Sequence, residues 1–230
     1  MKELNIYILL FFIYAILGYI AEVIYVYIGS KKLVNRGFLN GPYIPIYGAG
    51  GVLITFLLTT YYNDPVIIFV MGLLICTALE YFVSYLLEKI FHNRWWDYSY
   101  RKYNVNGRVC LRNSLLFGVC ALFIIYIVNP VSLYFLSGVR LERLYLANGI
   151  LLIIITIDLI ISIFEAIRVN NISSHLDTIL NEYTKNKNIK LNRIKTRLFD
   201  AFPNLTKNER LVKRLKALKK DFMKRRKLRK

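Results

Sequence analysis

The chain has 230 residues, of which 56% are hydrophobic, and its mean hydropathy is +0.42. Long apolar runs in residues 1–168 exclude an ordinary soluble domain there and predict an all-α, polytopic bundle of membrane helices. The formal net charge of +18 is concentrated in residues 169–230, which we predict to form a separate, cytoplasmic, basic amphipathic tail.

Five apolar runs are candidate membrane spans, because a helix needs about 20 residues to cross a bilayer. They cover residues 6–28, 46–62, 66–91, 115–135 and 146–167. The second run is the shortest, and it contains Gly48, Gly50 and Gly51, which allow helices to approach closely. We expect this run to begin within a re-entrant or tightly packed segment.

The connections between the spans differ in their content of Lys and Arg, which marks the cytoplasmic side of membrane proteins. The connections at 29–41 and 92–114 carry Lys31, Lys32, Arg36, Arg94, Arg101, Lys102, Arg108 and Arg112. The opposite connections carry Arg140 and Arg143. This asymmetry predicts a multi-pass protein of the cell membrane with its N-terminus outside and its C-terminus in the cytoplasm.

The first cytoplasmic connection and the start of the second span read N-R-G-F-L-N-G-P-Y-I-P-I-Y-G over residues 35–48. Prolines fix turns, glycines leave the backbone unhindered, and the side chains of Asn35, Arg36 and Tyr47 can form hydrogen bonds. A plain polar linker has no need of this combination. The segment therefore indicates a binding site at the mouth of the bundle.

Acidic residues within the predicted spans are Glu22, Glu80, Glu88, Asp158 and Glu165. Glu80, Ser84 and Glu88 are spaced four residues apart and so share one stripe of a helix. At 1.5 Å per residue, Glu80 lies about 16 Å from the end of its span at Phe91, near the bilayer centre. A carboxylate at that depth is costly unless it faces the protein interior, which makes Glu80 the sharpest functional candidate. Interfacial anchoring or a structural ion pair explains Glu22, Glu88 and Glu165 equally well.

The second cytoplasmic connection contains R-W-W-D-Y-S at 94–99 and Y-N-V-N-G-R-V-C at 103–110. Paired tryptophans are typical of an interfacial aromatic belt, but a belt does not need the polar residues beside them. Arg36 and Arg108 can pair with the acids or with an anionic ligand. We predict a substrate-binding pocket in the cytoplasmic half of the bundle, formed by Glu22, Asn35, Arg36, Tyr47, Glu80, Glu88, Trp96, Asp97, Asn106 and Arg108.

The three cysteines and two histidines do not indicate a metal or redox site. Cys76, Cys110 and Cys120 lack C-x-x-C spacing, and His92 and His175 have no ligand-like neighbours in the sequence. We expect no disulfide framework, no metal and no cofactor.

The tail, residues 169–230, holds 19 Lys or Arg residues against 5 Asp or Glu residues. Within it, Leu211, Leu215, Leu218 and Phe222 form an apolar stripe at helical spacing. A cationic amphipathic helix is expected to lie on anionic membrane lipids, although a solvated tail that only enforces topology explains the charge equally well. Nucleic-acid binding is not expected, because no zinc, helix-turn-helix or aromatic stacking signature accompanies the charge.

The motifs also occur in an informative order. Gly18 and Glu22, the 35–48 segment, Glu80 and Glu88, W-W-D-Y-S and N-V-N-G-R-V-C together resemble the CmpB-like family of type IV ABC-transporter permeases over about residues 5–120. The chain is also similar to the transmembrane protein 229 group of animals. Where the family pattern leads us to expect Trp-Gly, this chain has Phe117-Gly118. The resemblance implies a permease component of a transporter.

Three classes of function fit the sequence. The first is a transport component with Glu80 and the two cytoplasmic connections along the path of a solute or ion. Because the chain has no G-x-x-x-x-G-K-[S/T] phosphate loop, a separate ATPase subunit or an ion gradient would supply its energy. The second is a membrane enzyme acting on a lipid or polyprenyl phosphate, which we favour less because no nucleophile–base pair is recognisable. The third is a non-catalytic scaffold, and a homo-oligomer is compatible with all three.

Overall fold

The computed structural model describes residues 2–31, 33, 35–91 and 94–185, with the backbone alone for residues 29, 30 and 168–185. Its helices are α1 Lys2–Ser30, α2 Pro45–Leu58, α3 Pro65–Phe91, α4 Leu111–Phe123, α5 Asn129–Ser137 and α6 Leu141–Lys185. Two short antiparallel strands, β1 Asn104–Val105 and β2 Val109–Cys110, form a hairpin between α3 and α4. The predicted all-α fold class is confirmed.

Among the described residues, four helical stretches are long and apolar enough to cross a membrane: Lys2–Ile28, Pro65–Phe91, Leu111–Ser137 and Leu141–Ile167. The stretch Pro45–Tyr61 is apolar but shorter. It consists of α2 followed by the 3₁₀ turn Thr59–Tyr61, and at the usual rises it extends about 27 Å. The five predicted runs therefore correspond to four long helices and one short helical segment of a multi-pass membrane bundle.

The connections between the helical segments fall at two ends of the bundle. At one end, the Lys2 ammonium donates to the carbonyl of Ser137 at 2.9 Å, and the Tyr126 hydroxyl donates to the carbonyl of Tyr62 at 2.7 Å. At the other end are residues 35–44, here called the first loop, and residues 94–110, here called the second loop.

The first loop folds back into the bundle beside α1. The backbone N–H of Ile44 donates to the carbonyl of Ala15, midway along α1, at 3.0 Å. Leu39 and Tyr43 of the loop are buried. The loop thus occupies the space beside α1 that a longer second helix would fill, which explains why α2 is short.

α2 packs on α1 through glycines. A Cβ added at Gly48 would lie 2.7 Å from the carbonyl oxygen of Phe11, and one at Gly51 would lie 2.4 Å from the ring of Tyr14. Only residues without a side chain allow this separation of the two helices. The second run is therefore a tightly packed segment.

The helices after the second loop form two long helical stretches. α4 and α5 form one rod joined by a π-helical turn, Ile124–Val128. The backbone of α6 stays helical past residue 168 to Lys185, so the boundary predicted between bundle and tail falls inside a helix. The stripe predicted at Leu211 to Phe222 lies outside the described residues, and both the stripe and the two-domain division remain predictions.

Candidate functional site

A cavity of about 360 Å³ lies within the bundle at the end that carries the two loops. Its wall contains residues of both loops and of α1, α2, α3, α4 and α6. We call it the glutamate cavity, because Glu22 of α1 and Glu80 of α3 line it.

Glu80 is buried, with 7% of its surface exposed. One carboxylate oxygen, Oε1, accepts a hydrogen bond of 3.3 Å from the hydroxyl of Tyr98 in the second loop. Burial, followed by the nearby Glu80 carboxylate, raises the pKa of that hydroxyl, so Tyr98 stays protonated as the donor. The other oxygen, Oε2, is buried and has no hydrogen-bond partner among the described residues.

Glu22 is held by residues of the first loop and α2. The Tyr47 hydroxyl donates to its Oε1 at 2.7 Å, and Nε of Arg36 lies 3.9 Å from its Oε2. Gly18, one helical turn before Glu22, makes room for the Tyr47 ring, since a Cβ there would lie 2.3 Å from the ring carbon Cγ. The small residue on α1 thus sets the position of the tyrosine that contacts Glu22.

Glu88, two turns after Glu80 on α3, pairs with two arginines of the second loop. Nη2 of Arg108 lies 2.7 Å from its Oε2, and Nε of Arg94 lies 3.0 Å from the same oxygen. Arg94 also donates to the carbonyl of Asn106 at 3.1 Å and lies 4.0 Å from Asp97. Both guanidinium groups are therefore engaged by groups of the protein itself.

The second loop is braced by its own polar groups. Asn106 and Gly107 both have positive φ, 53° and 69°, a conformation that Asn and Gly tolerate best. A Cβ at Gly107 would lie 2.5 Å from the carboxylate of Asp97. That carboxylate accepts from the backbone N–H and the hydroxyl of Ser99, and the hydroxyl bond is the main reason that its pKa is lowered. Trp96 adds a bond from its indole N–H to the carbonyl of Arg108 at 3.0 Å.

Aromatic side chains join the two loops. The ring of Phe38 in the first loop lies edge-on to Trp95 in the second, with 4.9 Å between centroids. Trp95 is buried and also packs edge-on against Phe91 at 5.7 Å. Phe38 and Trp95 line the glutamate cavity, so this contact forms part of its end wall.

Asp158 of α6 anchors the first loop. Its carboxylate accepts hydrogen bonds from the backbone N–H groups of Asn40 and Gly41, at 2.9 and 2.8 Å, and from the Tyr43 hydroxyl at 2.7 Å. Burial and the bond to Asp158 raise the pKa of Tyr43, which keeps its hydroxyl a donor. The sequence marks Asp158 as an acid within a span but does not identify its partners, which are more than 100 residues away.

The structure divides the ten predicted site residues into two groups. Those that line the glutamate cavity are Glu22, Arg36, Tyr47, Glu80 and Trp96. Those outside its lining, in the polar framework of the loops and α3, are Asn35, Glu88, Asp97, Asn106 and Arg108. Asn35, for example, accepts from the N–H of Gly37 and donates to the carbonyl of Asn40, so it braces the first loop.

Four aromatic lining residues are absent from the predicted set: Phe38, Trp95, Tyr98 and Phe117. Trp95 and Tyr98 fall within the W-W-D-Y-S motif, and the motif is the signal that pointed to them. The described part of the chain contains no group of three or more side chains suited to hold a metal.

A model of the family described as "Putative ABC-transporter type IV" matches residues 9–163. The match covers more than half of the chain and includes both loops and every residue that lines the glutamate cavity. No curated protein and no solved structure matches the chain. The similarity to the transmembrane protein 229 group remains a prediction from the sequence.

Proposed function

The chain belongs to the family of putative type IV ABC transporters, and we propose that it is the membrane-spanning component of a transporter whose solute site is the glutamate cavity. The observation that carries this proposal is that Glu80 is buried and that its Oε2 has no hydrogen-bond partner among the described residues. A buried carboxylate oxygen without a hydrogen-bond partner is costly inside a membrane protein, and such a group usually faces a polar path.

A second cavity, of about 420 Å³, supports a path through the bundle. We call it the distal cavity, because Glu3 and Thr60, near the end opposite the loops, line it. α1, α2 and the rod of α4 and α5 contribute to both cavities. Along α2, the lining of the glutamate cavity ends at Ile54 and that of the distal cavity begins at Thr55, so the two cavities lie in series.

We propose that a layer of packed side chains separates the two cavities. Leu10, Tyr14 and Val128 form a buried cluster there, and the hydroxyls of Tyr14 and Thr55 share a buried hydrogen bond of 2.8 Å. We call this layer the barrier. A barrier between two cavities is what a transporter needs in order to expose its site to one side at a time.

The π-helical turn Ile124–Val128 lies beside the barrier. Ile124 lines the glutamate cavity, and Asn129, the first residue after the turn, lines the distal cavity. π-helical turns interrupt the regular hydrogen-bond ladder and are frequent at functional sites. We propose that the rod bends at this turn when the barrier opens.

A separate ATPase subunit is the partner that we propose. The family description places this chain with ABC transporters, and the chain has no phosphate loop of its own. The two loops, on the side that their Lys and Arg content marks as cytoplasmic, are the proposed contact surface.

Cys76 of α3 provides a test of the solute site, because it lines the glutamate cavity. Replacing Cys110 and Cys120 with Ala leaves Cys76 as the sole cysteine. In sealed vesicles, a water-soluble maleimide that cannot cross membranes should modify Cys76 from the cytoplasmic face. A matched variant that keeps only Cys110, which is buried, should react much more slowly.

Two outcomes would contradict the proposal. If Cys76 reacted with membrane-permeant N-ethylmaleimide but never with the water-soluble reagent, the cavity would not be an aqueous site. If the water-soluble reagent reached Cys76 equally from both faces, the barrier would be absent.

A further inference from the structure

The charges that line the glutamate cavity are unbalanced. Its charged lining residues are Glu22, Glu80 and Arg36. Arg36 lies beside Glu22, and the ion pairs of the described residues give Glu80 no basic partner. Glu80 lines the cavity. Its Oε2 atom is buried and accepts no hydrogen bond from the described residues. The site therefore has an unmet demand for a cation or a strong hydrogen-bond donor.

The rest of the cavity wall is largely apolar and aromatic. The rings that line it belong to Phe38, Tyr47, Trp95, Trp96, Tyr98 and Phe117. Aromatic faces attract ammonium groups through their quadrupoles, and walls of several rings are the usual surroundings of bound quaternary ammonium ions. They also provide apolar area for the remainder of a solute.

The arginines near the cavity are not placed to bind an anion. Arg94 and Arg108 both contact Glu88, and neither lines the cavity. A phosphate in the cavity would meet two carboxylates and would have to compete with Glu22 for Arg36. This arrangement argues against an anionic solute.

We infer that the solute of the glutamate cavity is an organic cation with an apolar or aromatic body, whose positive group pairs with the Glu80 carboxylate and whose body lies against the aromatic wall. This inference rests on the proposed transport function, and it names the class of solute. A cavity of about 360 Å³ holds a compound of drug-like size but not a protein segment.

The charge preference is measurable at Cys76, in the variant with Cys110 and Cys120 replaced by Ala. The probes are two methanethiosulfonates of similar length, one carrying a trimethylammonium group and the other a sulfonate. With rates normalised to those of free cysteine, the cationic reagent should be favoured by on the order of tenfold, because an unpaired carboxylate attracts it in a medium of low dielectric constant. Glu80→Gln keeps the shape of the side chain and should abolish the preference, whereas Glu142→Gln, at an exposed position on α6, should leave it unchanged.

A second measurement uses the protein with Glu80 unaltered, so its result does not depend on whether the Glu80→Gln variant folds. Tetraphenylphosphonium and tetraphenylborate have nearly the same shape and opposite charge. The phosphonium should protect Cys76 from maleimide in the purified protein, and the borate should not.

The outcomes separate the two proposals. If neither methanethiosulfonate modifies Cys76, the aqueous solute site itself is lost. If both react at equal normalised rates in the native and Glu80→Gln forms, or if both tetraphenyl ions protect equally, the site exists but the assignment to cations is overturned. Equal protection would indicate a hydrophobic pocket of the kind that holds a lipid chain.

Discussion

The carboxylate of Asp158, in α6, accepts a 2.7 Å hydrogen bond from the hydroxyl of Tyr43 in the first loop. Two backbone N–H groups of the same loop donate to this carboxylate. A single acid of α6 thus fixes a loop of which two residues, Arg36 and Phe38, line the glutamate cavity. Changes at Asp158 should therefore alter the cavity, although Asp158 does not line it.

Asp158→Asn should loosen the first loop, because an amide nitrogen would replace one of the oxygens that accept from the backbone. Hydrogen bonds to a charged group are worth about 1.5–3 kcal/mol, so exchange of the Gly41 amide hydrogen should accelerate by on the order of tenfold or more. Hydrogen exchange with mass spectrometry over residues 35–44 measures the change. Tyr43→Phe removes one donor and leaves both backbone bonds, so it should have the smaller effect. An effect of Tyr43→Phe equal to or larger than that of Asp158→Asn would disprove this account.

Gly18→Ala should destabilise the contact between α1 and α2. The new methyl group would lie 2.3 Å from Cγ of Tyr47, so the ring must move, and its hydroxyl must leave Glu22. Overpacking of this kind costs about 1–3 kcal/mol. Gly149→Ala in α6 is the matched control, because nothing lies within 4 Å of its added Cβ. Thermal unfolding in detergent compares the two variants, and equal melting temperatures would contradict the packing that we describe.

Arg108→Gln should cost more stability than Arg94→Gln, although both remove a partner of Glu88. The Arg108 side chain is 11% exposed and lies 2.7 Å from the carboxylate, whereas that of Arg94 is 35% exposed. A shielded, charge-assisted contact is worth about 1.5–3 kcal/mol, and an exposed ion pair about 0–1 kcal/mol. Melting temperatures at low and high salt measure the difference, and the effect of Arg94→Gln should fade as salt rises. The reverse order of the two variants would show that Arg94 is the principal partner.

The orientation of the bundle is tested by single cysteines in an otherwise cysteine-free chain. Lys31→Cys and Arg101→Cys should react with an impermeant reagent from the cytoplasmic side, because the loops at that end carry most of the Lys and Arg residues. Asp64→Cys and Arg140→Cys should react from outside. Labelling of all four from one side would show that the helical segments do not alternate across the membrane.

The sequence predicts the parts of this fold that depend on local pattern. Long apolar runs identify the long helices, and four-residue spacing puts Glu80, Ser84 and Glu88 on one stripe, of which Glu80 and Ser84 are buried. The sequence also predicts the short second run, because its glycines and the turn-forming segment before it lie in one stretch of chain.

The parts that the sequence does not predict depend on contacts between distant residues. Asp158 meets Asn40, Gly41 and Tyr43 only because α6 packs beside the first loop, and no local pattern records that neighbourhood. The burial of Trp95 is likewise not predicted from the sequence. A tryptophan at a membrane interface is normally an exposed anchor, but here Phe38 of the first loop covers it. The sequence also does not show which arginines contact which acids. Arg36 lies beside the cavity, whereas Arg94 and Arg108 contact Glu88, and this arrangement depends on the folded second loop.

The short length of α2 has a consequence for the biogenesis of the protein. Its 14 residues extend about 21 Å, less than the roughly 30 Å of hydrocarbon that a helix must cross without help. Gly48 and Gly51 allow α2 to pack closely against α1, and the first loop lies beside α1 as far as Ala15. During synthesis, α2 should therefore enter the bilayer as the second arm of a hairpin with α1, and the insertion machinery would handle residues 2–61 as one unit.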